Sequence, residues 1–141
     1  MKRLHIHLNA EEAKFAASVD FYTNIFGEPP TKTRDGYVKW MLDEPAMNFA
    51  LESDRISCGG LGIDHVGFEV THEEELAELR ERLQEEAEPV LGGGETVCCY
   101  AKSDKTWTAD PTGVRWEMFR SFGDTDEYGR TTDSENACKA G

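Results

Sequence analysis

Two histidines and one glutamate stand at matched places in this chain and together could bind one metal ion. His5 begins an apolar stretch that also contains His7, and His65 begins a similar stretch about sixty residues later. Glu117 follows the turn sequence Asp-Pro-Thr-Gly and lies between aromatic and apolar residues. Two imidazoles and one carboxylate leave coordination positions of a metal open. The set therefore favours an open facial triad of the kind used in non-haem Fe(II) and oxygen chemistry.

Each of these residues also has a simpler structural interpretation. A single histidine on a strand is more often packed and hydrogen-bonded than bound to a metal. Here the repeat makes His5 and His65 support each other, and a carboxylate beside Trp116 is costly to bury unless it is paired or metal-bound. We therefore expect a metal site at His5, His65 and Glu117. His7 should point the same way as His5, because alternate residues of a strand share a face.

The elements that must position these ligands form a repeated unit. A first strand is followed by a helix with an apolar face and a stop at Gly27, and strands are predicted over residues 36–42 and 46–51. The pattern restarts at residue 63 with a strand, a second helix and three further strands. This order indicates an internal duplication. Matching residues 47–49 to 116–118 places Asn48 at the equivalent of Glu117, so a fourth ligand is missing.

Length and charge exclude several classes of protein. A chain of 141 residues predicts one compact unit. The sequence contains no run of about 18 apolar residues, so no membrane span is predicted. The net charge of −13 argues against binding to nucleic acid. The N-terminus lacks the apolar region of a signal peptide, so we expect a cytoplasmic protein. Residues 122–141 are polar and are expected to form a mobile tail.

The adjacent cysteines Cys98 and Cys99 allow three interpretations. They could be small apolar core residues, a dithiol that binds a thiophilic ion or trivalent metalloid, or an oxidised vicinal pair. Adjacent residues of a regular strand face opposite sides, so a dithiol needs a twist or bulge. Cys58 and Cys138 have no motif of their own.

The segment 101–107 reads as a short polar loop that follows this cysteine pair. Lys105 in this loop could act catalytically by orienting an anionic ligand or a superoxide-like species. The alternative is a solvated loop lysine, which loops commonly carry.

The strand around His5, the helix end before Gly27, the restart at His65 and the segment ending in Glu117 together resemble the vicinal oxygen chelate superfamily. This superfamily includes glyoxalase I, bleomycin-resistance proteins and extradiol dioxygenases. The resemblance covers residues 1–121 and implies an α+β fold. Two tandem βαβββ modules, at about residues 1–52 and 63–121, would form a curled mixed sheet that encloses a divalent metal.

Within that superfamily, Cys98-Cys99-Tyr100-Ala101 followed by Lys105 resembles the carbon–arsenic lyases, a group that includes cadmium-induced proteins. The resemblance implies an Fe(II)-dependent dioxygenase that cleaves trivalent organoarsenicals such as methylarsenite and releases inorganic arsenite. It implies that Cys98 and Cys99 bind arsenic while His5, His65 and Glu117 hold Fe(II). Dioxygen would be the co-substrate, and Ni, Co or Zn could replace iron.

Two other functions remain open from the sequence. A glyoxalase I-like metalloenzyme would use the same scaffold, but that chemistry favours four protein ligands. A protein that sequesters cadmium or arsenic without turnover would use the cysteines alone. A homodimer is a further expectation.

Overall fold

The computed structural model describes residues 2–57, 59–85, 91–98 and 101–124. Its elements follow the order βαβββ twice, which confirms the predicted α+β fold. The first five are β1 (Arg3–Ala10), α1 (Glu12–Phe26), β2 (Lys32–Arg34), β3 (Tyr37–Asp43) and β4 (Ala46–Ser53). The second five are β5 (Gly62–Val70), α2 (Glu73–Glu85), β6 (Leu91–Cys98), β7 (Ala101–Ala109) and β8 (Arg115–Asp124).

The strands form one mixed, curled sheet in the order β2-β3-β4-β1-β5-β8-β7-β6. The two copies meet at its centre, where β1 and β5 pair antiparallel. Within each copy the first strand pairs parallel to the last, β1 with β4 and β5 with β8. The sheet is thus nearly two-fold symmetric about the β1–β5 pair, and the first strands of both copies lie side by side.

Helix α1 covers the outer face of the first copy. Phe15, Val19, Tyr22 and Phe26 pack against a buried cluster that includes Trp40. The helix ends at Gly27, whose φ of 76° is left-handed and suits glycine. The N-cap residue Glu11 makes no side-chain cap, and Asp54 Oδ1 instead accepts a hydrogen bond from the backbone N–H of Glu12.

Helix α2 covers the second copy in the same way. Leu76 and Leu79 are buried with Val70 and Met118 in a separate apolar cluster. Glu75 accepts hydrogen bonds from the backbone N–H groups ahead of the helix. Both apolar clusters lie on the helix side of the sheet, so the opposite, concave face is left for polar side chains.

Two predicted segments differ in the structure. Residues 101–107 form part of β7 and not a loop, since β7 pairs with β6 and β8 on its two sides. Residues 122–124, predicted to belong to the tail, are the end of β8, and residues 125–141 lie outside the described part of the chain. Among the described residues, neither helix is long and apolar enough to cross a membrane.

Gly67 is the residue that lets β5 approach β8 at the centre of the sheet. A Cβ added there would collide with the carbonyl oxygen of Glu117. We expect Gly67→Ala to lower the free energy of unfolding by about 1–3 kcal/mol, because neither backbone can yield without disturbing the pairing. Gly60→Ala is the matched control, since a Cβ at Gly60 meets nothing within 4 Å. Urea unfolding measures both, and equal stability of the two variants would contradict the argument.

Candidate metal centre

Strand pairing brings the three predicted ligands onto the concave face. His5 on β1 pairs with Gly67 on β5, and Gly67 pairs in turn with Glu117 on β8. His65 lies two residues before Gly67 on the same face of β5. All three predicted ligands are buried, with 6–7% of their surface exposed. A side chain at Gly67 would collide with the backbone of Glu117.

His5 and Glu117 each place a donor atom near Nε2 of His65, at distances that suit a shared metal ion. His65 Nε2 is 3.1 Å from His5 Nε2 and 3.0 Å from Glu117 Oε2. Two ligands about 2.1 Å from a metal and at right angles to each other are roughly 3.0 Å apart. Two imidazoles and one carboxylate at this spacing fit a divalent ion that accepts nitrogen and oxygen donors.

Oxygen acceptors hold the outer nitrogens of both histidines. His5 Nδ1 donates to the backbone carbonyl of Asn48 at 3.2 Å, which leaves Nε2 to face Glu117 and His65. His65 Nδ1 lies 2.7 Å from Asp64 Oδ2. Metal-bound histidines are characteristically oriented in this way by an acceptor on the other ring nitrogen. Asn9 and Arg115 lie 3.3 and 3.8 Å from the carboxylate of Asp64 and extend this support.

The structure also places His7 at this centre. One ring nitrogen from each of His5, His7 and His65 lies within 4.8 Å of the other two. Residues 5, 7 and 65 are buried alike. His7 stacks on His65, with ring centroids 4.8 Å apart, and its Nε2 lies 3.2 Å from Glu52 Oε2. The expectation that His7 faces the site agrees with these contacts.

Lys105 is not a solvated loop residue. It lies on β7, 6% exposed, with its Nζ 3.7 Å from Glu117 Oε1 and 5.9 Å from the centre of the Trp107 ring. Arg80 on α2 contacts the backbone oxygen of Lys105 and the side chains on either side, Asp104 and Thr106. A positive charge is therefore held beside the Glu117 carboxylate at the candidate metal centre.

The protonation states of the ligands follow from burial and from these contacts. Burial lowers the pKa of His5 to about 3, so this imidazole is neutral and able to coordinate. Burial alone would also lower the pKa of His65, but Asp64 and Glu117 outweigh it and raise that pKa to about 9. Burial would raise the pKa of Glu117, but the charge of Lys105 and the hydrogen bond from His65 hold it well below its usual range.

The residue of the first copy that is equivalent to Glu117 is Ala50 and not Asn48. The approximate two-fold axis between β1 and β5 exchanges the pair His5–Gly67 with the pair His7–His65. His5 is therefore equivalent to His65, and His7 is equivalent to Gly67. The parallel pairs then relate Ala50, the partner of His7, to Glu117, the partner of Gly67. The methyl group of Ala50 cannot coordinate a metal. The fourth ligand of a symmetric site is therefore absent, as predicted, but the residue in its place is Ala50. Asn48 instead contributes its carbonyl oxygen to His5.

The cysteine pair is only partly described. Cys98 is the last residue of β6, and its backbone pairs with Ala101 at the start of β7. Cys99, Cys58 and Cys138 lie outside the described residues. The arsenic-binding role inferred for Cys98 and Cys99 therefore stays a prediction.

Three further contributors to the site were not identified from the sequence. Asp64 precedes His65 directly, and an acid beside a ligand histidine is a local signal that could have found it. Glu52 contacts His7 from β4, and Trp107 packs on the edge of the His65 ring with centroids 4.8 Å apart. These two come from other strands, so only the pairing register reveals them.

In the absence of metal, His65 makes stability depend on pH. Its pKa rises from 6.5 to about 9 on folding, so its stabilisation is complete below about pH 6.5 and is lost as the pH passes about 9. We expect the free energy of unfolding of chelator-treated protein to fall by roughly 3 kcal/mol over this range, relative to His65→Gln. Urea unfolding of both proteins measures this difference. The same slope in both would contradict the charge assignment.

Known proteins with similar sequences match nearly the whole chain. It is 35% identical over 140 residues to the trivalent organoarsenical cleaving enzyme of Bacillus sp. (strain MD1), covering 97% of this chain and 79% of that protein. It is 32% identical over 139 residues to the probable trivalent organoarsenical cleaving enzyme of Bacillus subtilis (strain 168), covering 98% and 91%. Cadmium-induced protein CadI of Mycobacterium tuberculosis (strain ATCC 25618 / H37Rv) is 32% identical over 134 residues, covering 92% and 82%.

Solved structures support the fold at lower sequence identity. An extradiol ring-cleaving dioxygenase from B. fuscum superposes with a TM-score of 0.62 at 17% identity, covering 93% of this chain and 36% of that chain. A glyoxalase/bleomycin resistance protein/dioxygenase superfamily member from Vibrio splendidus 12B01 superposes with a TM-score of 0.55 at 16% identity, covering 86% and 100%. A family model matches residues 5–118, and the chain belongs to the Glyoxalase/Bleomycin resistance protein/Dioxygenase superfamily.

Proposed function

We propose that this protein is an Fe(II)-dependent dioxygenase that cleaves the carbon–arsenic bond of trivalent organoarsenicals and releases inorganic arsenite. The observation that carries the proposal is the position of His65 Nε2, 3.1 Å from His5 Nε2 and 3.0 Å from Glu117 Oε2. Two relatives that share about a third of their residues with this chain are named for cleavage of trivalent organoarsenicals, which supports the substrate class.

In this proposal His5, His65 and Glu117 hold the metal on the concave face. Bound there, Fe(II) would supply an open position for dioxygen and the electrons that begin its reduction. Ni, Co or Zn could occupy the same donors. Asp64 and the Asn48 carbonyl keep the two imidazoles oriented, so the donors need little rearrangement on binding.

Lys105 has an electrostatic role in the proposal. Its ammonium lies 3.7 Å from Glu117 and is buried beside Trp107, where charge is weakly screened. It keeps Glu117 ionised as a ligand, and it can attract an anionic group that approaches the metal. The ammonium would then stabilise negative charge that develops on oxygen during the reaction.

The proposed substrate is fixed through arsenic. Thiolates select soft, thiophilic ions, so Cys98 and Cys99 are the residues expected to bind the trivalent arsenic. The proposal requires these thiols to hold the arsenic while the attached carbon lies at the metal. For methylarsenite, one dioxygen balances the conversion to formaldehyde and arsenous acid, with carbon oxidised and dioxygen fully reduced.

The metal ligands and the oxidant are tested together. Anaerobic protein loaded with Fe(II) should leave methylarsenite intact, and admission of air should start arsenite release. His65→Gln and Glu117→Gln should lower turnover by more than about 100-fold, since even the outer partners of metal ligands contribute about 10- to 100-fold. His72→Gln removes an exposed imidazole outside the site and is the matched control. Arsenite release without dioxygen would overturn the proposal.

The cysteines are tested separately from the metal. Cys98→Ser and Cys99→Ser should each abolish arsenite release but leave the Fe(II) stoichiometry unchanged, because a hydroxyl is a poor ligand for trivalent arsenic. Cys58→Ser is the matched control for loss of a thiol. Full activity in either of the first two variants would contradict the assigned arsenic site.

A sequestering protein is the second candidate, favoured by the relatives named cadmium-induced. It would bind Cd(II) or As(III) stoichiometrically through the cysteines and release no arsenite from methylarsenite. The glyoxalase I-like alternative is disfavoured, because Ala50 stands where a symmetric site would place its second carboxylate.

A further inference from the structure

A second buried acid–imidazole pair adjoins the proposed metal centre. His7 and Glu52 are 6% and 5% exposed, and His7 Nε2 lies 3.2 Å from Glu52 Oε2. Neither residue takes part in the function proposed above. Burying this pair costs solvation free energy that a packed apolar pair would not. A functional reason for the pair is therefore worth seeking.

The surroundings of His7 are those of a metal ligand. One of its ring nitrogens lies within 4.8 Å of donor nitrogens from His5 and His65. Opposite ligands of a divalent ion are about 4.2 Å apart, so a small side-chain rotation brings His7 within reach. Glu52 contacts His7 as Asp64 contacts His65, through a carboxylate oxygen on one ring nitrogen. That contact is the outer partner that ligand histidines typically have.

Strand pairing gives an independent argument. In the second copy, Gly67 on the first strand faces the donor Glu117 on the last strand. At the equivalent pair of the first copy, His7 on the first strand faces Ala50 on the last. Each pair thus contains one donor and one residue too small to fill the space in front of it. The donor therefore stands on the last strand in the second copy and on the first strand in the first copy.

We propose that His7, held by Glu52, is a fourth protein ligand of the metal bound by His5, His65 and Glu117. The inference rests on the proposed function, since it assumes that those three residues bind a metal. An octahedral ion with four protein donors keeps two open positions. The imidazole thus takes the place of the carboxylate that Ala50 cannot supply, and oxygen chemistry retains the positions it needs.

Metal binding tests this without an activity assay. Protein loaded anaerobically with Co(II) should show three imidazoles by X-ray absorption, and His7→Gln should show two. We expect His7→Gln to weaken Co(II) binding by at least about 10-fold. Glu52→Gln should weaken it less, and should add nothing in the His7→Gln background, because Glu52 acts through His7. His72→Gln is the control for loss of an imidazole away from the site.

The outcomes separate this inference from the proposed function. Two imidazoles in the wild-type protein would overturn it, and this measurement requires no variant to fold. Unchanged Co(II) affinity in His7→Gln, with weakened affinity in His65→Gln and Glu117→Gln, would overturn the role of His7 and leave the three-ligand site standing. Absence of Co(II) binding by the wild-type protein would overturn both.

Discussion

The antiparallel pairing of β1 with β5 is the interaction on which the rest of the structure depends. It sets His5 opposite Gly67 and His7 opposite His65, so imidazoles from both copies share one face. A shift of one residue in this register would turn these side chains toward the apolar clusters beneath the helices. Gly67 adds the second requirement, because only a residue without a side chain admits the backbone of Glu117 at this spacing. Fold and candidate site therefore rest on the same strand contacts.

This arrangement costs free energy because it buries charged groups. Buried imidazoles, carboxylates and one ammonium group share a small volume in a protein whose net charge is −13. Without metal, a proton on His65 is stabilised between Asp64 and Glu117, which are both ionised. A divalent ion would replace that proton and bring more positive charge to the same carboxylates. The cluster is thus organised for a cation, and the apolar packing around α1 and α2 must offset what it costs to assemble.

The duplicated order and the helix faces were predictable from the sequence, because apolar periodicity and glycine stops are local signals. The grouping of His5, His65 and Glu117 was also predictable, because the repeat relates the first two and the turn marks the strand of the third. The burial of Lys105 was not, since the polar segment around it reads as a loop and only pairing on both sides makes it a strand. Ala50 was missed because the two copies differ in length. Matching their sequences places Asn48 opposite Glu117, whereas the strand pairing places Ala50 there, two residues later.

Duplication explains how a proposed metal centre with unequal sides can arise from a symmetric sheet. A perfect repeat would supply each donor twice and surround the ion evenly. Here the copies differ at the paired positions nearest the centre, where His7 and Ala50 stand against Gly67 and Glu117. The first copy thus presents imidazoles, and the second presents an imidazole, a carboxylate and the neighbouring ammonium of Lys105. The first copy consequently lines the centre with imidazoles alone, the second adds a carboxylate and an ammonium, and a ligand that enters between them meets different chemistry on each. A symmetric site could not provide this difference between its two sides. The difference follows from a few residues that differ between the copies on strands that pair in the same way.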